Sequence, residues 1–334
     1  MLKFAIFGLL TLAVAGYGLY LLFPAAFRPS PGGGSKRWAY LFGVVLTAEA
    51  LLFVVAPVMN WWLPMSASSY SGGIDRLFYI ILAVTGVTFI AISAVFIYVL
   101  FKYPAEVGRK SHYTHGNHRL EMIWSAVPAV ILVLLGIGQI PAWLNVKSTS
   151  WLNAKEEADK PFLQVEVVAR QWEWRIRYSS SAHMKEWGDR AAAMKDIRLK
   201  MPPRPDDVRL VNEVHCIKGQ KTLVHLKTQD VIHSFFLPHM RLKQDALPGK
   251  TIPVWFQAED SNCHKEGGEW VDGMRHDAAK GWVKDPKYIW ELACAEYCGS
   301  RHSLMRGKLY VHEPDDFLDW LKSAEAAMKK TSDK

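Results

Sequence analysis

Four long stretches of this chain are almost free of charge, and they limit what it can fold into more than any other feature. Phe4 to Phe27, Leu77 to Phe101 and Met122 to Val146 carry no charged side chain, and Trp38 to Pro64 carries only Glu49. Each is longer than the ~20 apolar residues that a helix needs to cross the hydrocarbon core of a bilayer. The expected fold therefore begins with four transmembrane α-helices, the first two joined by the flexible turn P-S-P-G-G-G-S from Pro29 to Ser35. Beyond residue 150, charged and apolar residues alternate as in a soluble domain. The sequence divides into a first helix pair (1–72), a second hairpin (73–150), an extracytoplasmic domain (151–313) and a C-terminal amphipathic helix and tail (314–334).

Basic residues orient the helices. Arg28, Lys36 and Arg37 lie between the first two segments, and Lys102, Arg109, Lys110 and Arg119 between the last two, which makes those loops cytoplasmic. The middle connection holds only Asp75 and Arg76 and falls outside, with both termini and the C-terminal domain. A competing reading makes the first segment a secretory signal, since Ala13-Val14-Ala15 precedes Gly16. Its removal would leave three crossings and force a basic loop outward. Glu49, near the middle of the second segment, is costly in hydrocarbon and is expected to face a neighbouring helix or subunit.

The soluble half reads as strands. Leu163 to Ala169, Trp172 to Tyr178, Lys221 to Lys227, Ile252 to Ala258, Tyr288 to Ala293 and Lys308 to His312 are short, β-branched or aromatic, and separated by turn residues. Such a series predicts an all-β sandwich or barrel. Pro314 then opens a short helix with Phe317, Trp320 and Leu321 on one face.

The chemistry concentrates in C-A-E-Y-C-G-S-R-H-S-L-M, which sets Cys294, Cys298, His302 and Met305 within twelve residues, with His233 upstream in D-V-I-H-S-F. Two thiols, two imidazoles and a thioether are a soft donor set that suits copper. A bare pair of cysteines four apart is more often a disulfide, a redox switch or half a zinc site, but tetrahedral zinc has no use for Met305.

This run resembles the copper loop of cytochrome c oxidase subunit II, with every position of the C-x-E-x-C-x-x-x-H-x-x-M pattern filled. The resemblance implies a membrane-anchored protein with a cupredoxin-like Greek-key barrel and a dinuclear copper centre. Cys294 and Cys298 would bridge the two ions, His233 and Met305 would complete one, and His302 and the Glu296 carbonyl the other. The Glu296 side chain would reach a magnesium ion shared with the catalytic subunit I, and Asp245, in K-Q-D-A-L-P-G, belongs to a segment near the same interface. H-G-N-H-R-L-E-M-I-W-S-A-V-P resembles the entry to the second helix of the family hairpin, so Glu121 inherits a place at the mouth of a proton pathway; its bland alternative is an interfacial carboxylate favoured by the helix dipole. In A-R-Q-W-E-W-R-I-R-Y, Trp172 corresponds to the tryptophan at which cytochrome c hands over its electron, with Trp174 in support. No C-x-x-C-H is present, so no haem is attached to this chain.

The implied function is electron entry to a cytochrome c oxidase. Its partners are subunit I, other oxidase subunits, membrane lipid and a cytochrome c or membrane-held c-type cytochrome. The setting is a respiratory membrane, bacterial inner or plasma, with the copper domain on the periplasmic side. A membrane-anchored copper chaperone is the alternative, but it needs neither His302 nor Met305. Nucleic acid is not expected: residues 151–334 hold 30 Lys and Arg against 28 Asp and Glu, leaving most of the net +8 to the membrane half.

Two features depart from the family pattern. His233 and Cys294 are separated by an insertion at about 257–287 that holds Cys263, His264, Met274 and His276. It is expected to be a surface loop that shapes partner docking, or else to hold a second metal; Cys263 could also pair with Cys216, since an exported domain permits disulfides. The domain also lacks a general acidic field, its local acidic candidates being Glu259-Asp260 and Asp315, Asp316 and Asp319. A less basic or membrane-held donor is expected.

Overall fold

The structure is a computed structural model, and it describes residues 41–49, 55, 59, 63–103, 110, 112–154, 160–182 and 202–332. Among the described residues, two helices are long and apolar enough to cross a membrane: α1 (Ser71–Lys102) and α2 (His118–Lys147). These are the third and fourth expected crossings. Both run a few residues past the uncharged stretches, and Asn117 accepts a hydrogen bond from the Leu120 N–H at the start of α2. Of the second expected crossing, residues 41–49 are helical, with Glu49 exposed. The first crossing lies outside the described residues.

The chain forms two compact units. One contains most of α1 and α2. The other contains residues 64–76 and everything from 138 onward. Residues 64–76 are built into the β domain itself: Ala67 N–H donates to His239 O, Ser68 Oγ donates to Met240 O, and Ser68 bridges to Ala258. Arg241 clamps this segment, reaching Asp75 with Nε and Nη2 at 2.6 and 3.1 Å and the Pro64 carbonyl at 2.7 Å. The weakly charged connection, with the first residues of α1, thus belongs to the β-domain unit.

Two five-stranded sheets make the domain. The first has the order β3 (Val208–Val211), β2 (Glu173–Tyr178), β1 (Phe162–Arg170), β5 (Lys221–Thr228), β8 (Ile252–Gln257). The second runs β4 (Glu213–Ile217), β14 (Arg306–His312), β13 (Trp290–Cys294), β6 (His233–Leu237), β7 (Leu242–Ala246). Period-two alternation points Val165, Val167 and Ala169 of β1 and Trp174, Ile176 and Tyr178 of β2 inward, and all six are buried. Val214, Phe235, Leu292, Leu309 and Val311 are buried from the second sheet, closing a cupredoxin-like β-sandwich around one core. Asn212 alone separates β3 from β4, so the chain changes sheets at one residue, with φ at +61°.

Each of the six expected strands is present, with shifted ends. Trp172 sits in the turn before β2, and Tyr288 lies in a 3-10 turn (Pro286–Tyr288) ahead of β13. The C-terminal helix, α3 (Pro314–Ser332), is longer than expected and buries Phe317, Trp320 and Leu321.

The insertion is not an irregular loop. It forms two hairpins, β9 (Cys263–Glu266) with β10 (Glu269–Asp272) and β11 (Met274–Asp277) with β12 (Gly281–Lys284). Asn262 stitches them to β14: its side chain donates to Leu309 O and accepts from Val311 N–H, and its own N–H donates to Val311 O. Cys216 and Cys263 are free buried thiols. Cys216 lies on β4 opposite Val311, whereas Cys263 Sγ donates to the Val311 carbonyl, on the edge that Asn262 occupies. The two flank β14 and form no bridge. His264 stacks on Trp282 and His276 meets the same ring edge-on, and among the described residues the insertion gathers no metal-binding cluster.

Under α3, His215 and His312 form a buried pair, Nδ1 to Nε2 at 2.8 Å, and His215 stacks on Trp320. Burial pushes both imidazoles well below their ordinary value, His312 to about 2 with His215 beside it. Both are neutral when folded, so below about pH 6.5 only the unfolded chain takes up these protons and stability falls as pH falls. Each histidine contributes a slope of about 1.4 kcal/mol per pH unit. Thermal unfolding between pH 7 and 5 should show this loss, and His312→Phe should remove about half of the pair's share of it; an unchanged slope would rule the pair out as its source.

Candidate metal centre

The site is assembled where two strands of the second sheet end. β6 opens at His233, and alternation with Phe235 and Leu237 points its ring inward. Antiparallel β13 ends at Cys294 opposite Phe235, so the thiol enters beside the imidazole. The chain then leaves the sheet and returns at β14. Ala295 N–H to Ser234 O and Cys294 N–H to Met305 O fasten the base of this loop. Gly299 turns it at φ +118°, a conformation that suits glycine. One 3-10 turn (His302–Leu304) brings Met305 back into the core.

Every expected copper ligand converges here. The two Sγ atoms stand 3.8 Å apart. Cys294 Sγ is 3.8 Å from His233 Nδ1 and 3.2 Å from the Glu296 carbonyl. Cys298 Sγ is 3.5 Å from His302 Nδ1 and 3.9 Å from Met305 Sδ. His233, Cys294 and Cys298 form the one cluster of metal-ligating side chains among the described residues whose donor atoms all lie within 4.8 Å of one another.

Charge is prepared for a cation. Burial opposes ionisation of Cys294, but hydrogen bonds with His233, the backbone and Cys298 outweigh it and pull its thiol down. Burial and the Cys294 charge push Cys298 up. One proton leaves this coupled pair readily and the second does not, unless a metal ion displaces it. His233 loses by burial but gains more from Cys294 and Asp230, so its ring is raised.

A second layer fixes the first. Asp230 accepts from His233 Nε2 at 2.8 Å, which leaves Nδ1 directed at the thiols, and its other oxygen accepts from Gln171 N–H at 2.7 Å. Gln171 Nε2 donates to Cys298 O at 2.7 Å. Buried Trp174 presents an edge-to-face contact to His233. Trp172 is half-buried against the copper-type loop: a Cβ on Gly299 would lie 3.3 Å from its ring. Trp174 packs inside from β2, whereas Trp172, in the turn before that strand, is half-buried.

Asp230 and Gln171 were missed as functional residues, although each stands within three positions of one singled out. The Glu296 side chain is exposed. Asp245 pairs with Ser234 across β6 and β7. Glu121 lies in the first turn of α2, 4.0 Å from His118 Nδ1, within the membrane-helix unit.

Two apolar helices long enough to cross a membrane, together with a β-sandwich whose β13–β14 loop gathers two cysteines beside a histidine, define a membrane-anchored protein with a candidate metal centre. Residues 56–141 match the profile of the cytochrome c oxidase subunit II transmembrane domain, and residues 163–280 that of its periplasmic domain, ending inside the insertion. The chain belongs to the cytochrome c oxidase subunit II family. Among its relatives, cytochrome c oxidase subunit 2 of Thermostichus vulcanus is 26% identical over 302 residues, 82% of this chain and 84% of that one. The alternative cytochrome c oxidase subunit 2 of Bradyrhizobium diazoefficiens is 26% identical over 274 residues, covering 78% and 83%. The crystal structure of the periplasmic domain of subunit II of cytochrome oxidase from Bradyrhizobium japonicum aligns over 51% of this chain and 98% of its own, at 19% identity and a TM-score of 0.33.

Proposed function

We propose that this chain is the electron-entry subunit of a cytochrome c oxidase, taking single electrons from a cytochrome c at Trp172 and delivering them to haem in subunit I. The observation that carries the reading is the convergence of six soft or neutral donor atoms at the end of β6 and β13. Six donors exceed what one tetrahedral ion takes, and the thioether favours copper over zinc. Cys294 and Cys298 would bridge two copper ions, with His233 and Met305 on one and His302 and the Glu296 carbonyl on the other. Such a centre supplies one redox equivalent shared across two metals, with little change in bonding when it is reduced.

The protein's own residues do the positioning. Asp230 holds the His233 tautomer, Gln171 ties the Trp172 turn to the Cys298 carbonyl, and Trp174 keeps water from the imidazole. The Glu296 side chain, which is exposed, would reach a magnesium ion shared with subunit I, and Glu121 would admit protons from the cytoplasmic side of a bacterial respiratory membrane. The copper chaperone reading has no support: His302 and Met305 join the cluster, and the domain is built of β-sheets.

The test uses the full chain in detergent, because residues 64–76 supply Ala67 and Tyr70 to the domain core. Copper reconstitution should give two ions per chain and a paramagnetic spectrum of one electron shared equally by two copper nuclei. A single copper with the spectrum of an isolated ion, surrendered readily to a chelator, would refute the assignment.

A further inference from the structure

The surface around Trp172 has an unusual charge for an electron-entry face. Arg301, exposed on the loop between Cys298 and His302, holds its guanidinium carbon 5.9 Å from the centre of the Trp172 ring. Among the described residues no carboxylate lies within ion-pair distance of it. Arg170 and Arg175 flank the same turn, and both share the single carboxylate of Glu173, at 2.7 and 2.8 Å. Asp230 is occupied by His233 Nε2 and the Gln171 N–H. Three guanidinium groups thus stand against two carboxylates, both already engaged. Beside Asp230, Val231 and Ile232 are 40% and 43% exposed, adding an apolar surface of the kind that transient electron-transfer partners bury.

Resting on the reading of Trp172 as the entry point, we propose that this face receives a c-type cytochrome whose haem edge is ringed by acidic side chains, and that Arg301 sets that preference. A cation over the indole face is held there by the ring quadrupole, so its charge is presented where a haem edge would approach. A lysine-rich cytochrome would meet it with like charge, which slows encounter, whereas an acidic one would be steered in by roughly 10-fold or more at low salt.

The test measures reduction of the copper-loaded full chain, in non-ionic detergent, by two probes that share one haem: a lysine-rich cytochrome c and its succinylated form, in which the lysines carry carboxylates. The readout is the sign of the salt dependence of the second-order rate constant, which does not depend on driving force. The rate with the succinylated probe should fall as salt rises, and that with the native probe should rise. Arg301→Glu should reverse both signs, while Lys284→Glu on the insertion, the same charge change on an exposed side chain, should not. If native cytochrome c is attracted, or Lys284→Glu matches Arg301→Glu, the inference is overturned and the entry reading stands. If Trp172→Leu leaves both rates unchanged, the entry reading itself fails.

Discussion

Cys298→Ser is expected to reduce the turnover of the assembled oxidase with cytochrome c to below roughly 1%, while the β domain unfolds at nearly the same temperature. The reason is the position of this sulfur. Like Cys294 Sγ, it lies within 4 Å of three other donors, here Cys294 Sγ, His302 Nδ1 and Met305 Sδ. A serine hydroxyl is harder, shorter and does not ionise near neutral pH, so it cannot take the place of a thiolate between two soft ions. Loss of a residue that only orients a ligand costs about 10–100-fold in metal affinity or activity. Asp230→Ala should fall in that range, with the shared-electron spectrum retained on whatever copper still binds. Loss of the shared sulfur must exceed it. Oxygen consumption and copper per chain, measured on the same preparations, separate the two; a serine variant that keeps two coppers and normal turnover would remove the thiolate bridge from the proposal.

How much of this was readable in advance depended on whether the signal was local. The ligand set was legible because five of its donors fall in one twelve-residue run and the sixth, His233, lies in D-V-I-H-S-F, a segment that resembles the family's copper strand. β1, β2, β5, β8, β13 and β14 were legible for the same reason, each a run of β-branched or aromatic residues ended by turn formers. β3 and β4 were not, because Asn212 is the only break between them and the polar pattern E-V-H-C gives no clean alternation. β6 and β7 were read only for their functional residues, His233 and Asp245.

The insertion was expected to be a surface loop because it is an excess over the family spacing between His233 and Cys294. Its order comes from Asn262, whose amide imitates a strand neighbour for Leu309 and Val311, nearly fifty residues away. The same limitation hid the second layer of the metal centre. Asp230 and Gln171 act through single hydrogen bonds across 59 residues of chain, a pairing that no periodicity records. The place of residues 64–76 in the β domain was equally invisible, since it rests on Arg241 meeting Asp75 across 166 positions.

Gly307→Ala is expected to be the most damaging conservative change outside the ligands, costing about 3 kcal/mol or more and loosening the metal loop with it. A methyl group at this position would overlap the carbonyl oxygen of Asn212, with the carbonyl carbon at 2.9 Å and Cα at 3.1 Å. Those are backbone atoms at the corner where the chain passes from one sheet to the other, so no side chain can rotate away. The corner is itself fixed from three directions: Asn212 N–H donates to Trp174 O, its side-chain oxygen accepts from Trp174 N–H, and its carbonyl accepts from Lys308 N–H. Its left-handed backbone, which asparagine adopts more readily than most residues, leaves little freedom to move. Displacing it shifts Trp174, which packs on His233, and the first residues of β14, which hold Met305. Thermal unfolding should show the destabilisation without copper, and copper titration should show weakened binding at temperatures where the variant is still folded. Asn212→Gly in the same background tests the cause: the more permissive corner should recover part of the loss by letting the carbonyl swing away. If Gly307→Ala is as stable and as copper-avid as the parent, the close approach of β14 to the corner does not hold the site.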